Sequence, residues 1–106
     1  MKVYISGKIT GNPNYEEEFS LREKTLRENG YLTINPVSEG KRLLKELGRE
    51  PTWEDYMNMS YRLIDECDGV SYLDNWKDSK GAKLEHEYAV GHNKLTIHVH
   101  VLSQRW

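Results

Sequence analysis

The chain has 106 residues, of which 37% are hydrophobic and 30% charged, and 15 basic against 17 acidic side chains give a formal net charge of −2. This length supports one hydrophobic core, so we expect a single domain over residues 1–106. The near-neutral charge argues against binding a nucleic-acid polymer or an anionic membrane through bulk charge, but it allows one small phosphorylated ligand. A single cysteine, Cys67, excludes an internal disulfide. With no membrane-length apolar run and no signal-like N-terminus, the composition predicts a cytoplasmic protein.

The first half of the chain predicts two strands and two helices in alternation. Lys2–Ile5 is rich in β-formers and stops at Ser6-Gly7. A helix should follow, capped by Asn14 with Glu17 reaching back to the cap, and ended by Asn29-Gly30. The pattern then predicts a second strand over 31–34 and a short helix over 38–47.

The second half predicts two further strands and two further helices. Thr52 opens a helix with Asp55 at the capping-box position, and Ser60 is the one polar member of its apolar stripe. A strand over 69–73, a polar loop over 74–81, a helix over 82–92 and a final strand over 95–102 follow. The stripe comprises Trp53, Tyr56, Met57, Leu63, Ile64 and Cys67.

The order β-α-β-α-α-β-α-β favours a parallel sheet covered by helices on both faces. We therefore expect an α/β fold, a flavodoxin- or Rossmann-like three-layer sandwich with strand order 2-1-3-4. Ligands of such sheets bind beyond the carboxyl ends of the strands, here between strands one and three. Two polar, glycine-bearing loops, 6–11 and 74–81, should meet there. Neither has the spacing of a dinucleotide-binding G-x-G-x-x-G or a P-loop.

Glu85 is the carboxylate that such a crevice would contain. Near the start of the last helix, the positive end of the helix dipole should keep it ionised. An ionised, fixed carboxylate can attack a sugar carbon or stabilise an oxocarbenium ion. From the physics alone, a merely favourable contact with the helix dipole is the more common explanation of a glutamate at this place.

Other polar or reactive side chains carry weaker signals. His86-Glu87 begins like H-E-x-x-H but lacks the second histidine, and His98 and His100 alone rarely hold a metal. Cys67 is interpreted as a small core residue. Trp76, in the polar loop, could stack on a base or pack at an oligomer contact.

Four segments in one order carry a family resemblance: Ser6-Gly7-Lys8-Ile9-Thr10-Gly11, Trp53…Tyr56-Met57, Cys67-Asp68-Gly69-Val70 and Trp76…Ser79-Lys80-Gly81-Ala82…Glu85. Together they resemble the nucleoside 2-deoxyribosyltransferase superfamily. The similarity is greatest to its small deoxyribosyltransferase-like DUF4406 group, which is often phage- or prophage-borne. The resemblance covers nearly the whole chain.

This resemblance implies a role for each matching residue. Glu85 takes the place of the nucleophile that accepts the sugar at C1′, and Ser79 that of the serine that binds a 5′-phosphate in the nucleotide-hydrolysing branch. A hydroxyl can donate to phosphate, whereas the aspartate of the nucleoside-transferring branch would repel it. Gly81 matches the loop glycine. The residues implied to wrap the sugar and phosphate are Ser6, Gly7, Ile9 and Gly11.

The chain departs from the family pattern at two positions. Ser60 stands where the family has an aspartate that contacts or protonates the base, and a serine is a poor proton donor to a leaving base. Lys8 stands where the related group commonly has proline. Lys8 has two equally open interpretations: a solvated loop residue, or an added cation beside the phosphate.

The expected function is cleavage of an N-glycosidic bond, or transfer of a ribosyl or deoxyribosyl group, on a nucleoside 5′-monophosphate or a nucleoside. No metal or organic cofactor is implied, and the expected partner is that small molecule. The alternatives are a nucleotide-binding module without turnover and a structural protein that keeps only the fold. Relatives assemble as dimers or larger, and the C-terminal segment 103–106, ending in Trp106, favours a homodimer.

Overall fold

The computed structural model describes residues 1–99 and has strands and helices in alternation around one parallel sheet. The strands are β1 (Lys2–Ser6), β2 (Leu32–Ile34), β3 (Gly69–Tyr72) and β4 (Leu95–Thr96). The helices are α1 (Tyr15–Glu28), α2 (Pro36–Leu47), α3 (Trp53–Asp65) and α4 (Lys80–Gly91), with a short 3-10 turn at Trp76–Asp78. The sheet order is β2-β1-β3-β4 and every pairing is parallel, which confirms the predicted α/β class and strand order.

The hydrophobic core lies on both faces of the sheet, because alternate residues of a strand point to opposite sides. Val3 and Ile5 pack towards α1, whereas Tyr4 packs towards α3 and α4. Ser6 is two residues beyond Tyr4 and shares its face. The C-terminal end of β1 therefore directs the side chains of Tyr4 and Ser6, both with hydroxyl groups, towards α4.

The start of α3 has the capping contacts predicted from the sequence, whereas the start of α1 does not. The Thr52–Asp55 capping box is present, with Asp55 N donating to Thr52 Oγ1 at 3.1 Å and Thr52 N donating to an Asp55 carboxylate oxygen at 2.9 Å. Asn14 is at the N-cap position of α1 as predicted, but the predicted side-chain cap is absent. The Asn14 backbone, at φ −105° and ψ 17°, is not in the extended conformation of an N-cap, and its side chain makes no capping bond.

The end of the described chain is less regular than predicted. The regular part of β4 is Leu95–Thr96, although Ile97 N still donates to Val70 O at 2.9 Å. Residues 100–106 lie outside the described residues. They include the end of the expected strand, with His100, and the segment 103–106 that was expected to favour a dimer. Over residues 1–99, no helix is both long and apolar enough to cross a membrane.

Candidate functional site

Glu85 lies in the second turn of α4 and is almost fully buried. The helix begins at Lys80 and is capped by Ser79, whose hydroxyl oxygen accepts from Ala82 N at 3.1 Å. The helix dipole acts most strongly in the first turn, and Glu85 lies beyond that turn. Only 7% of the residue is exposed. The helix end was expected to keep Glu85 ionised, but burial has the larger effect and favours the neutral acid.

Three hydroxyl groups surround the Glu85 carboxylate. The Tyr4 hydroxyl donates to Oε2 at 2.6 Å, and the Ser6 hydroxyl donates to Oε1 at 2.7 Å. The Tyr4 and Ser60 oxygens lie 3.1 Å apart. Because the single phenol proton of Tyr4 serves the shorter bond to Glu85, the Ser60 hydroxyl is the donor in that contact. Within residues 1–99, Glu85 forms no ion pair, so neutral hydroxyls alone hold this buried acid.

The protonation of Glu85 follows from this environment. Burial raises its pKa, and the hydroxyls of Tyr4 and Ser6 act in the opposite direction by donating to the carboxylate. Burial, and next the Glu85 charge, raise the pKa of Tyr4 well above its ordinary value. Tyr4 therefore stays protonated and remains a donor. A buried acid with a raised pKa and no charged partner is typical of functional sites.

We expect Glu85→Gln to raise the melting temperature at neutral pH. A carboxyl whose folded pKa is raised contributes stability below its unfolded pKa and loses it as the pH rises through the folded value. Ionisation of Glu85 thus costs the fold stability as the pH rises, and a neutral amide removes that penalty. Thermal melts from acidic to neutral pH should show the advantage of Glu85→Gln disappearing towards the acidic end. Glu87→Gln, an exposed change on the same helix, is the control. A lower melting temperature for Glu85→Gln at every pH would contradict this account.

Gly7 is required by the close approach of two loops. A Cβ on Gly7 would lie 2.5 Å from Leu73 Cδ1, which is too short for any real contact. The loops are also joined by Leu73 N donating to Ser6 O at 2.8 Å. Gly7 was expected to wrap the ligand, and the structure gives it a packing role beside Ser6.

Gly7→Ala is accordingly expected to lower the free energy of unfolding by about 1–3 kcal/mol, because overpacking must displace Leu73 or the strand end. Gly91→Ala is the matched control, since a Cβ there would meet nothing within 4 Å. Urea unfolding of both variants measures the difference. Equal stability of Gly7→Ala and the wild-type protein would contradict the packing argument.

Glu18 of α1 ties the two predicted loops together. Lys8 N donates to Asn75 Oδ1 at 3.1 Å, so the loops meet directly. The side-chain amides of Asn75 and Asn12 both donate to Glu18 Oε1, at 3.1 and 2.9 Å. The loops therefore meet where the strand order predicts. No pattern in the sequence marks Glu18 or Asn75 as the residues that connect them.

The sequence-predicted residues occupy different places in this region. Ser6 donates to Glu85 directly, whereas Ser60 contacts Tyr4, which in turn donates to Glu85. Tyr4 was not among the residues predicted from the sequence. The signal was there, since a tyrosine inside a buried strand needs a partner for its hydroxyl. The remaining candidates make no hydrogen bond to Glu85 among the described residues: Gly7, Lys8, Ile9, Gly11, Ser79 and Gly81.

Trp53 and Gly81 lie where the start of α3 meets the start of α4. The prediction that Trp53 is buried is wrong, because 50% of it is exposed. Its ring edge would lie 3.3 Å from a Cβ on Gly81, and Lys80 Nζ is 5.7 Å from its ring centre. Gly81 thus leaves room for an aromatic ring beside the first turn of α4.

Cys67 and the metal-binding residue types give no second reactive site. Cys67 is 2% exposed, as expected for a core residue, and burial raises its pKa to about 11, so it remains a thiol at neutral pH. Across residues 1–99, no three His, Cys, Asp or Glu side chains are grouped so that they could hold a metal ion.

A comparison with protein families places the chain in a known family. The family described as a domain of unknown function, DUF4406, matches residues 1–100. No curated protein matches the chain. No solved structure matches it either.

Proposed function

The chain belongs to the DUF4406 family, and from its site we propose that it cleaves the N-glycosidic bond of a nucleoside 5′-monophosphate, or of a nucleoside, with Glu85 as the nucleophile. The observation that carries the proposal is a buried carboxylate held by the neutral hydroxyls of Tyr4 and Ser6, with no cation paired to it among the described residues. The resemblance of the four ordered segments to nucleoside 2-deoxyribosyltransferases supports the same assignment.

The energetics of Glu85 favour a functional role over a structural one. A buried charge that serves stability alone is normally paired with a cation. Glu85 instead keeps a raised pKa, which makes its carboxylate more basic and a better nucleophile than a solvated one. The two short bonds fix its orientation, and each carboxylate oxygen keeps a lone pair free for attack.

The proposed reaction has two steps. In the first, a Glu85 oxygen forms a bond to C1′ as the C1′–N bond breaks, and the bonding electrons leave with the base, which takes a proton from water. In the second, water attacks C1′ and gives a proton to the hydroxide left by the first step, the sugar–Glu85 ester breaks, and the carboxylate is restored. Attack by a second base in place of water would make the same site a transferase.

Recognition of the substrate phosphate is assigned to the two loops. Ser79 accepts a backbone bond as a helix cap, and its hydroxyl proton is still available to a phosphate oxygen. It stands at the N-terminus of α4, where backbone N–H groups favour anions. Lys8 is half-buried in the adjoining loop and adds a cation near that end of the sheet.

The alternative is a nucleotide-binding module without turnover, and Ser60 favours it. The leaving base needs a proton or a strong hydrogen bond, and Ser60 uses its own proton on Tyr4. Neither the serine nor the protonated Tyr4 is acidic enough to assist. A module of this kind would bind the nucleotide and release it intact.

Chromatography of reactions with a panel of ribo- and deoxyribonucleoside 5′-monophosphates and the matching nucleosides tests the proposal. We expect free base from at least one substrate. Ser79→Ala should raise KM for a monophosphate and leave KM for the matching nucleoside unchanged. Tight calorimetric binding with the nucleotide recovered intact would overturn the enzyme proposal in favour of the binding module. The absence of both binding and turnover would overturn both.

A further inference from the structure

A concave site lies beside β4 and the 3-10 turn. It is a cavity of about 520 Å³, within the size range of small-ligand sites. Among the described residues its wall includes Arg22, Tyr72, Trp76, Lys77, His86 and His98. None of the residues that hydrogen-bond Glu85 lines it. The cavity therefore adjoins the site proposed for glycosidic cleavage, with which it shares loop 74–81, but it does not include the donors that hold Glu85.

Arg22 is the unusual group in this cavity. It is half-buried on α1, and its Nη1 donates to Ser71 Oγ and to Tyr72 O, both at 2.9 Å. Arg22 forms no ion pair within residues 1–99. Asp74, the one acidic residue of the described wall, is exposed and only influences it at a distance. The two bonds fix the guanidinium in place and leave its other N–H donors for an anion.

The opposite part of the wall is aromatic. The rings of Trp76 and His86 have centroids 4.5 Å apart, and Tyr72 packs against each of them at 5.2 Å. Lys77 Nζ lies 5.7 Å from the Trp76 ring centre. The cavity wall thus combines aromatic rings, tilted against one another, with two permanent cations, Arg22 and Lys77. That combination suits a ligand with one flat ring and one anionic group.

We propose that this cavity binds a small phosphate monoester that carries a planar ring. The phosphate binds the guanidinium of Arg22, with Lys77 contributing charge, and the ring lies against Trp76 and His86. A dianionic phosphate matches the two cations and accepts the paired N–H groups of a guanidinium. The proposal is independent of the glycosidic reaction, because it uses none of the Glu85 network.

Phenyl phosphate is the minimal probe, because it has the ring and the dianion but no glycosidic bond. In a titration followed by ¹H–¹⁵N NMR, we expect the Trp76 indole signal to shift and to saturate. Inorganic phosphate and phenol, each carrying half of the ligand, should bind at least about tenfold more weakly. No shift of the Trp76 signal with phenyl phosphate would overturn the proposal.

Arg22→Gln removes the cation and keeps a shorter polar side chain, and it should weaken phenyl phosphate binding by at least about tenfold. Arg27→Gln, an exposed change on the same helix, should leave binding unchanged. If Arg22→Gln does not fold, Lys77→Gln at the exposed rim is expected to weaken binding several-fold. If Arg22→Gln folds and binds phenyl phosphate as tightly as the wild type, the assignment is overturned. If it does not fold, equal binding by Lys77→Gln and the wild type has the same consequence.

Discussion

Glu85→Gln is expected to lower the rate of base release from a nucleotide substrate by at least about 10³-fold, because the nucleophile is lost while the shape of the site is kept. The amide is isosteric with the carboxylate, and it can still accept from Tyr4 or Ser6. Binding of the intact nucleotide should change far less than the rate. Single-turnover assays by chromatography, together with calorimetry, separate the two effects.

Glu87→Gln is the matched control for this prediction. Glu87 is two residues further along α4 and exposed, so the same chemical change is made away from the hydroxyl network. Its rate should equal that of the wild type. If Glu85→Gln releases base as fast as Glu87→Gln, Glu85 is not the nucleophile and its hydroxyl network is structural.

Tyr4→Phe is expected to shift the acidic limb of the pH–rate profile upward by about one unit. The 2.6 Å bond from Tyr4 stabilises the ionised form of Glu85, so its loss raises the Glu85 pKa further. The rate at slightly acidic pH should fall more than the rate at alkaline pH. The change also leaves the Ser60 hydroxyl without its partner, which should cost about 1 kcal/mol of stability.

Tyr88→Phe provides the control for the loss of a phenol. Tyr88 also donates to a carboxylate, that of Asp65 at 2.8 Å, but this contact is exposed and outside the site. Its pH–rate profile should match the wild type. Superimposable profiles for Tyr4→Phe and the wild type would show that Tyr4 does not set the ionisation of Glu85.

The sheet could be predicted from the sequence because its signals are local and its topology is constrained. Short β-rich runs alternate with amphipathic segments, and right-handed crossovers leave few strand orders. The order 2-1-3-4 brings the loop after β1 next to the loop after β3. The region of the site therefore follows from the pattern of strands, before any side-chain contact is considered.

The charge state and partners of Glu85 could not be predicted in the same way. The sequence shows a glutamate near a helix start, which suggested stabilisation by the helix dipole. The structure starts the helix two residues earlier than predicted, at Lys80, and buries Glu85 in its second turn, where desolvation raises the pKa. Its donor Tyr4 is 81 residues away in the chain, and only the packing of α4 on β1 brings the two together.

Trp53 and Arg22 illustrate the limits of helical periodicity. Trp53 fits the apolar stripe of α3, but it is the first residue of that helix and packs at the start of α4 with half its surface exposed. Arg22 resembles a solvated residue of a charged helix, yet it reaches Ser71, 49 residues away. Periodicity gives the face of a helix, whereas the depth of each residue depends on what it packs against.

The most direct test of the central claim follows the anomeric H1′ signal of a nucleoside 5′-monophosphate by ¹H NMR in the presence of the protein. With the wild-type chain, the nucleotide H1′ signal should decay as free base and sugar phosphate appear, and with Glu85→Gln it should persist. The account would be contradicted by an intact H1′ signal in the presence of wild-type protein that demonstrably binds the same nucleotide.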